Sequence, residues 1–229
     1  GSNVVLAGDF HGLTLLNRLR GITVLAEDAD TVQVRVAAGE IWDAFVQYSL
    51  EQSWCGLENL SAIPGTVGAA PIQNIGAYGV ELKDVFLRVG VFYLHEGVHA
   101  ELSLTECAFG YRDSVFKHRL KDRCLITYVV FQLSKKPHLK LEYGEIRAEM
   151  TRQGLVPETL TPLQLRQIII VVRARKLPDP RTLPNVGSFF KNPVISTQHL
   201  RNLQATWPAI VHYPVDDGRK WLTSGGLGT

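Results

Sequence analysis

The chain has 229 residues and a formal net charge of only +2, with no block of lysines or arginines. This charge argues against a nucleic acid or a membrane surface as the main partner. A hydrophobic fraction of 45% and a charged fraction of 20% are ordinary for a globular protein. The three cysteines, Cys55, Cys107 and Cys124, lack metal-ligand spacing, so we interpret them as reduced and predict no metal site.

The N-terminal part predicts short strands and one helix. Val32, Val34 and Val36 alternate with polar residues, which is typical of a strand with one buried face. Further on, four apolar side chains at helical spacing predict a helix and its buried stripe: Trp42, Phe45, Val46 and Leu50. The predicted strands are residues 13–16, 22–25 and 31–36, and the predicted helix is residues 41–50.

The middle of the chain predicts a hairpin and a central strand. Alternating apolar residues over 85–93, a turn at Glu96-Gly97 and a partner at 100–104 indicate two antiparallel strands. Residues 124–133, CLITYVVFQL, are almost continuously β-branched or aromatic, so we expect this strand to lie at the centre of a sheet.

A strong helix is predicted to begin at Thr161 and Pro162, which are preferred N-cap and first-turn residues. Residues 177–180, Leu-Pro-Asp-Pro, end this helix and predict a domain hinge. Beyond them we predict a helix near 198–204 and a strand at 210–213. Strands with interspersed helices and few βαβ units predict the α+β class. The buried face of the helix is predicted to be Leu165, Ile168, Ile169 and Val172.

The segment Ile63–Gly79, IPGTVGAAPIQNIGAYG, contains four glycines and no acid or base. We call it the Gly-rich segment and expect a loop with a short helix. Glycine lets a ligand approach the backbone closely, and several N–H groups can then surround an anion. The alternative is a loop that only joins two strands. Neither common nucleotide-binding fingerprint is present.

Residues 57–79, LENLSAIPGTVGAAPIQNIGAYG, closely resemble the flavin-binding segment of the UDP-N-acetylenolpyruvoylglucosamine reductase family. The resemblance implies an incomplete α+β FAD-binding domain of the vanillyl-alcohol-oxidase-like type, followed by part of a smaller α+β substrate-binding domain. It also implies these FAD contacts: Ile63, Pro64, Gly65, Gly68, Ala69, Ala70, Ile72, Asn74, Gly76 and Ala77.

The first residues, Gly1-Ser2-Asn3 before Val4-Val5-Leu6, resemble the phosphate loop of the same family. That resemblance implies FAD contacts by Gly1, Ser2 and Asn3. It also implies that the chain begins inside the flavin domain, with residues 1–20 as a remnant, 21–177 as the second FAD-binding subdomain and 178–229 as a partial substrate-binding domain. The alternative is that Gly1-Ser2 is a cloning scar.

Phe109–Ser114, FGYRDS, is a compact polar cluster that we call the arginine turn. By charge alone, Arg112 pairs with Asp113 or another surface acid. The resemblance implies instead that Arg112 is catalytic: its planar guanidinium contacts the enolpyruvyl carboxylate and stabilises the enolate. Tyr111 is assigned to the cofactor.

The sequence GSFFKNP, residues 187–193, resembles the family motif whose serine is the general acid. This implies a catalytic Ser188, with Lys191 or a water as proton relay and Asn192 orienting the network or the substrate. A serine after a glycine is otherwise a turn residue.

Tyr143 lies in LEYGEI, expected after a strand, and resembles the tyrosine that closes over the sugar nucleotide in one subclass of the family. Arg173 and Lys176, in RARKLPDP, resemble the family pair near the substrate diphosphate. Cations in the last turn of a helix also complement the helix dipole, and that alternative stays open.

The implied enzyme is a cytoplasmic, monomeric bacterial oxidoreductase with FAD as cofactor and NADPH as co-substrate. NADPH reduces FAD, the flavin passes hydride to UDP-N-acetylglucosamine enolpyruvate, and the product is UDP-N-acetylmuramate, for peptidoglycan and thus for cell shape and division. The family's C-terminal glutamate segment has no counterpart before Thr229. The alternative is therefore a truncated, catalytically incomplete fragment that binds flavin or nucleotide.

Overall fold

The computed structural model describes residues 3–179, 182, 183, 185, 191–214 and 220–222. The chain divides into two compact units, Gly1–Lys176 and Leu177–Thr229. The strands are β1 (Ile22–Glu27), β2 (Thr31–Ala37), β3 (Gly76–Ala77), β4 (Val80–Glu81), β5 (Phe86–Tyr93), β6 (Val98–Ser103), β7 (Cys124–Ser134), β8 (Val194–Ile195), β9 (His212–Pro214) and β10 (Lys220–Leu222). The α-helices are α1 (Trp42–Glu51), α2 (Leu104–Cys107), α3 (Gly144–Arg152), α4 (Pro162–Lys176) and α5 (Thr197–Thr206). The mixture confirms the α+β class.

A five-stranded sheet is the centre of the first unit. Its strand order is β1-β2-β7-β5-β6, and all neighbouring strands are antiparallel. The prediction that residues 124–133 form the central strand is confirmed, because β7 lies between β2 and β5. Val32, Val34 and Val36 are fully buried, as their alternation predicted.

Helix α1 packs on the sheet through aromatic side chains. The Phe45 ring lies 5.1 Å from the Phe131 ring of β7, and the Trp42 ring lies 6.1 Å from it, measured between centroids. The indole N–H of Trp42 donates to the Leu60 carbonyl at 2.9 Å, so this aromatic is buried without an unpaired donor. All four residues of the predicted stripe are buried.

A smaller core lies between α3 and α4. Helix α4 begins where the sequence predicted, with the Thr161 hydroxyl accepting from the Gln164 N–H at 3.2 Å and the Gln164 side chain accepting from the Thr161 N–H at 2.8 Å. This reciprocal pair is a capping box. Helix α3 was not predicted. The core residues are Ile146, Met150, Leu160, Leu165, Ile168, Ile169 and Val172.

The prediction of a strand at residues 13–16 is wrong. The structure has no strand there, and Leu13 and Leu16 are 82% and 72% exposed. A strand requires a neighbour for its main-chain groups, and this stretch has none in the described sheets. The apolar content of this stretch alone therefore misled the prediction.

The described part of the second unit contains a small sheet and one helix. Its sheet has the order β8-β10-β9, and Ser196 caps α5 by accepting from the His199 N–H at 3.2 Å. Across the described residues of both units, no helix is long and apolar enough to cross a membrane. The same residues include no cluster of three or more His, Cys, Asp or Glu side chains that could hold a metal ion.

Candidate functional site

The Gly-rich segment folds as a 3₁₀ helix, Val67–Gln73, followed by the hairpin of β3 and β4. Asn74 ends the 3₁₀ helix with a left-handed φ of 43°. Tyr78 and Gly79 connect β3 to β4 with φ values of 48° and 80°. Two successive positive φ values are typical of the tight turns that join twisted antiparallel strands. The expected loop with a short helix is confirmed.

The side chain of Asn74 maintains the shape of this segment. It is fully buried, and its amide group donates to Glu81 Oε2 at 3.1 Å and to the Gly110 carbonyl at 3.0 Å. Its Oδ1 accepts from the Lys83 N–H at 3.1 Å. Asparagine also tolerates the left-handed conformation better than most residues. The side chain of Asn74, a predicted FAD contact, therefore already makes hydrogen bonds within the protein.

The arginine turn is a tight reversal with Arg112 near its tip. The Gly110 N–H donates to the Asp113 carbonyl at 3.0 Å, and the Asp113 N–H donates back to the Gly110 carbonyl at 3.2 Å. Arg112 itself has a φ of 53°. The Asp113 carboxylate lies 2.9 Å from His118 Nε2, whereas Arg112 Nη2 donates to the Gly76 carbonyl at 2.5 Å. The guanidinium is therefore directed at the Gly-rich segment.

Three hydrogen bonds join the arginine turn to the Gly-rich segment. The turn and the segment are 36 to 42 residues apart in the chain at these contacts. The structure thus brings the predicted catalytic arginine against predicted cofactor residues, and its neighbour in the chain, Tyr111, is half-buried like it. The bonds run from Asn74 Nδ2 to Gly110 O at 3.0 Å, from Arg112 Nη2 to Gly76 O at 2.5 Å, and from Ser114 Oγ to Ile72 O at 2.6 Å.

Tyr78, which the sequence reading overlooked, connects the other end of the segment to α3. Its ring meets the Tyr143 ring edge-on, with centroids 5.5 Å apart. Its carbonyl accepts from Asn59 Nδ2 at 2.9 Å, and the same amide reaches the Lys140 carbonyl at 3.0 Å. Tyr143, expected after a strand, lies between the end of β7 at Ser134 and helix α3, and it is the residue immediately before that helix. The sequence feature that could have identified Tyr78 is the presence of an aromatic residue among small ones.

Arg173 lies half-buried near Tyr78. Burial lowers the pKa of Arg173, while the Tyr78 hydroxyl and the Asp43 carboxylate oppose that shift. The Nε of Arg173 is buried and has no hydrogen-bond partner within the described structure. A cation with a spare donor suits an anionic ligand.

The other cations at the end of α4 are paired with acids of α3. Lys176 Nζ lies 2.6 Å from Glu145 Oε2, and Arg175 Nη1 lies 2.5 Å from Glu149 Oε2. These ion pairs add a tertiary role to the helix-dipole explanation for Arg175 and Lys176. Arg173 therefore fits a ligand-facing role better than its neighbours do.

Glu58 is a buried acid beside the segment that the sequence reading did not single out. It is 4% exposed, and its Oε2 accepts from the Gly56 N–H at 2.9 Å. Its Oε1 has no partner among the described residues. Burial raises the pKa of this carboxyl above its ordinary value.

The remaining predicted residues are distributed as follows. Gly1, Ser2 and Ser188 lie outside the described residues, and Asn3 Nδ2 donates to Gln73 Oε1 at 3.2 Å. Lys191 and Asn192 belong to the second unit, the former exposed and the latter half-buried. Within the Gly-rich segment, Pro64, Ala69 and Ile72 are exposed, Ile63, Gly65, Gly68, Gly76 and Ala77 are half-buried, and Ala70 is buried.

Comparisons with known proteins agree with these features. Residues 1–103 match the protein family described as the FAD binding domain. A UDP-N-acetylenolpyruvoylglucosamine reductase from Chromobacterium violaceum is 48% identical over 228 residues, which are 99% of this chain and 66% of the relative. The reductase of the same name from Bacteroides fragilis strain YCH46 is 44% identical over 99% of this chain and 67% of the relative. The chain belongs to the UDP-N-acetylenolpyruvoylglucosamine reductase family.

A solved structure of a reductase of this family, from Thermus caldophilus, is similar with a TM-score of 0.49 and 23% sequence identity, over 85% of this chain and 62% of that chain. The chain spans about two thirds of the length of the curated relatives it matches, 66% for the first of them. The curated relatives confirm, at the level of the family, the resemblance that residues 57–79 indicated. Which side chains contact a ligand stays a prediction.

The Gly-rich segment fits the cofactor of this reductase family. It lies inside the range matched as an FAD binding domain, presents no acid or base, and exposes Pro64, Ala69 and Ile72. An uncharged, glycine-rich surface allows main-chain contacts with a ligand. The neighbouring guanidinium of Arg112 supplies a positive charge next to it.

Proposed function

We propose that this protein is an FAD-dependent reductase that uses NADPH to convert UDP-N-acetylglucosamine enolpyruvate into UDP-N-acetylmuramate. The observation that carries the proposal is the hydrogen bond between Arg112 and the Gly76 carbonyl. It supports the proposal because a guanidinium, a group well suited to binding a carboxylate, lies directly beside the segment within the FAD binding domain match. A single site can then contact both cofactor and substrate.

FAD, when bound, supplies the hydride that it takes from NADPH. In this proposal the cofactor is held mainly by the backbone of the Gly-rich segment, because no charged side chain is available there. Tyr111 lies beside Arg112, with the guanidinium carbon 5.1 Å from the centre of its ring. The proposed cofactor residues are those predicted from the sequence, Gly1, Ser2 and Asn3 included.

Arg112 binds the carboxylate of the enolpyruvyl group and stabilises the negative charge that develops as hydride reaches the methylene carbon. Arginine has five N–H donors in a planar fork. One of its terminal nitrogens is directed at the Gly76 carbonyl, which fixes the orientation of the plane. A donor group that is oriented before the reaction stabilises developing charge without reorganising.

Ser188 donates the proton that completes the reduction at the neighbouring carbon, with Lys191 and Asn192 assisting it. Tyr143, Arg173 and Lys176 bind the sugar nucleotide. Two of these three residues lie near Tyr78. The ring of Tyr143 meets the Tyr78 ring, and Arg173 interacts electrostatically with Tyr78. Lys176 would exchange its ion pair with Glu145 for a phosphate.

We also propose the setting of this activity. The protein acts as a monomer in the bacterial cytoplasm, without a nucleic-acid or membrane partner. Its product serves peptidoglycan synthesis, and through it cell wall biogenesis, cell shape, the cell cycle and cell division. Residues 1–20, 21–177 and 178–229 are its proposed structural divisions.

The decisive experiment follows the flavin band of the purified protein by stopped-flow spectroscopy. NADPH should bleach the band, and the enolpyruvyl sugar nucleotide should restore it. A yellow protein that NADPH bleaches but the sugar nucleotide does not reoxidise would instead be a flavin-binding fragment without turnover. A colourless protein that takes up no FAD would refute the proposed function.

The role of Ser188 is tested by Ser188→Ala in the same experiment. Bleaching by NADPH should hardly change, because it needs no proton donor. Reoxidation by the enolpyruvyl substrate should slow by about 10²–10⁴-fold, the usual contribution of general acid catalysis. Ser188→Cys should recover part of the rate. Equal slowing of both steps would mean that Ser188 shapes the site and donates no proton.

A further inference from the structure

The first turn of α1 holds the chain immediately before the Gly-rich segment. Asp43 Oδ1 accepts from the Ala62 N–H at 2.6 Å, and Ala62 is the residue that precedes Ile63. Ala62 has a left-handed φ of 57°, a conformation that costs energy for a residue with a Cβ. The Trp42 indole holds the Leu60 carbonyl from the same helix turn. The entry to the segment is thus fixed at two main-chain positions.

Asp43 is in turn held by a buried arginine of α4. Arg166 Nη1 lies 2.6 Å from Asp43 Oδ1, and Nη2 lies 2.9 Å from Oδ2. The Arg166 side chain is 6% exposed, and its Nη2 also reaches Gln47 Oε1 at 3.4 Å. A two-point pairing of this kind fixes the carboxylate in orientation as well as in position.

The charge of Asp43 is maintained by these partners. Burial raises the pKa of Asp43, but the hydrogen bonds from Arg166 and from the Ala62 N–H outweigh burial and leave the pKa below its ordinary value of 3.8. Arg173 attracts the same carboxylate. Arg166 and Arg173 are seven residues apart on α4 and so lie on one side of the helix. The Asp43 carboxylate therefore holds the start of the Gly-rich segment and also attracts Arg173, which lies near Tyr78 at the end of that segment.

We propose that Asp43 and Arg166 are positioning residues that keep the Gly-rich segment in its ligand-ready shape. The assignment of FAD as that ligand rests on the proposed function. Without the carboxylate, Ala62 has no compensation for its left-handed backbone, and residues 61–63 relax. The ligand must then order the segment as it binds, and that ordering lowers its affinity.

The first test titrates FAD into the apoprotein and follows the quenching of flavin fluorescence. Asp43→Ala and Arg166→Met should each weaken FAD binding by about tenfold, the scale of one hydrogen bond to a charged group. Asp43→Asn should recover part of the loss, because its amide oxygen still accepts from the Ala62 N–H. The double variant Asp43→Ala with Arg166→Met should bind no more weakly than either single variant, since the two side chains act as one unit.

The matched control is Glu149→Gln, which removes another buried acid paired with an arginine of α4. Glu149 is 3% exposed and lies 2.5 Å from Arg175. This variant should be destabilised towards urea but should keep its FAD affinity. If the Asp43 and Arg166 variants behaved in the same way, the pair would be structural support alone and the proposal would be overturned.

A second readout needs no cofactor. Amide hydrogen exchange of the unliganded protein should accelerate at Ala62 and across the Gly-rich segment in Asp43→Ala, while β7 keeps its protection. Unchanged exchange across the segment would overturn the proposal directly. Faster exchange in a protein that fails to bind FAD even as wild type would support the positioning role and would refute the proposed function instead.

Discussion

Arg112 has a backbone conformation that is energetically unfavourable for arginine. Its φ of 53° lies in the left-handed region, where turns usually contain glycine or asparagine. Strain of this kind persists where the surrounding structure compensates for it, and it concentrates at functional sites. Here the hydrogen bond to the Gly76 carbonyl compensates. An arginine at position 112 therefore carries a backbone strain that a glycine there would not.

This conclusion predicts that two variants of Arg112 differ in stability but lose activity equally. Arg112→Gly and Arg112→Ala remove the same guanidinium, but only glycine adopts the left-handed conformation without strain. Arg112→Gly should therefore unfold in urea with a free energy about 1 kcal/mol higher than Arg112→Ala. Both variants should lose substrate-dependent NADPH oxidation by about 10²–10³-fold. Equal stability of the two variants would show that the turn carries no strain.

The sequence located the arginine but not its partner. The FGYRDS string identified Arg112, whereas a hydrogen bond to the main-chain carbonyl of Gly76 has no signature in residue types. Gly68 shows the converse. It was predicted for close approach of a ligand, yet a Cβ there would lie 2.5 Å from the Ala38 Cβ, so packing alone requires glycine. A glycine in the sequence indicates that something approaches the backbone closely, but not whether it is a ligand or another part of the protein.

At the scale of elements, burial decided which predictions succeeded. Helix α1 was predicted well because it has one strongly apolar face, and strand β7 was predicted well because its apolar residues are almost continuous. Helix α3, sequence GEIRAEMTR, was missed because Ile146 and Met150 are its few apolar residues among charged ones. The strand predicted at residues 13–16 is wrong for the opposite reason, because these residues are apolar but their side chains are exposed.

The short 3₁₀ helix Glu58–Leu60 predicts a pH effect on folding. Burial raises the pKa of Glu58 above its ordinary value of 4.5, so the folded state holds this proton to higher pH than the unfolded state does. Its contribution to the free energy of unfolding therefore falls as pH rises from the unfolded pKa to the folded pKa.

Urea unfolding of wild type and Glu58→Gln at about pH 5 and about pH 8 tests this, because glutamine does not titrate. The variant should gain stability relative to wild type as the pH rises. A constant difference between the two proteins would show that Glu58 titrates normally. Glu158→Gln, at an exposed acid, is the control for a general effect of removing one carboxylate.

Several large apolar side chains within residues 6–16 are exposed, and we call this stretch of the chain the apolar strip. Leu6, Phe10, Leu13 and Leu16 are 76%, 67%, 82% and 72% exposed. Large apolar patches on a protein surface bind other apolar surfaces or promote association. Since these residues contribute little to the described core, they affect the behaviour of the protein in solution more than its folding.

Leu13→Ser combined with Leu16→Ser should therefore reduce binding of the dye ANS and reduce self-association in sedimentation experiments. The midpoint of urea unfolding should stay within experimental error of wild type. Ile146→Ser, at a fully buried position of α3, should instead lower that midpoint strongly. Unchanged dye binding in the double variant would mean that the strip is covered in solution.

The three hydrogen bonds between the Gly-rich segment and the arginine turn also determine when the site can form. The two partners are separated by the hairpin of β5 and β6, and closing a loop of that length has an entropic cost that the hairpin must first offset. During synthesis, the segment emerges from the ribosome before Arg112 and cannot acquire these contacts until the arginine turn has also emerged. A peptide that carried only the glycine-rich sequence would lack the shape that the whole unit gives it.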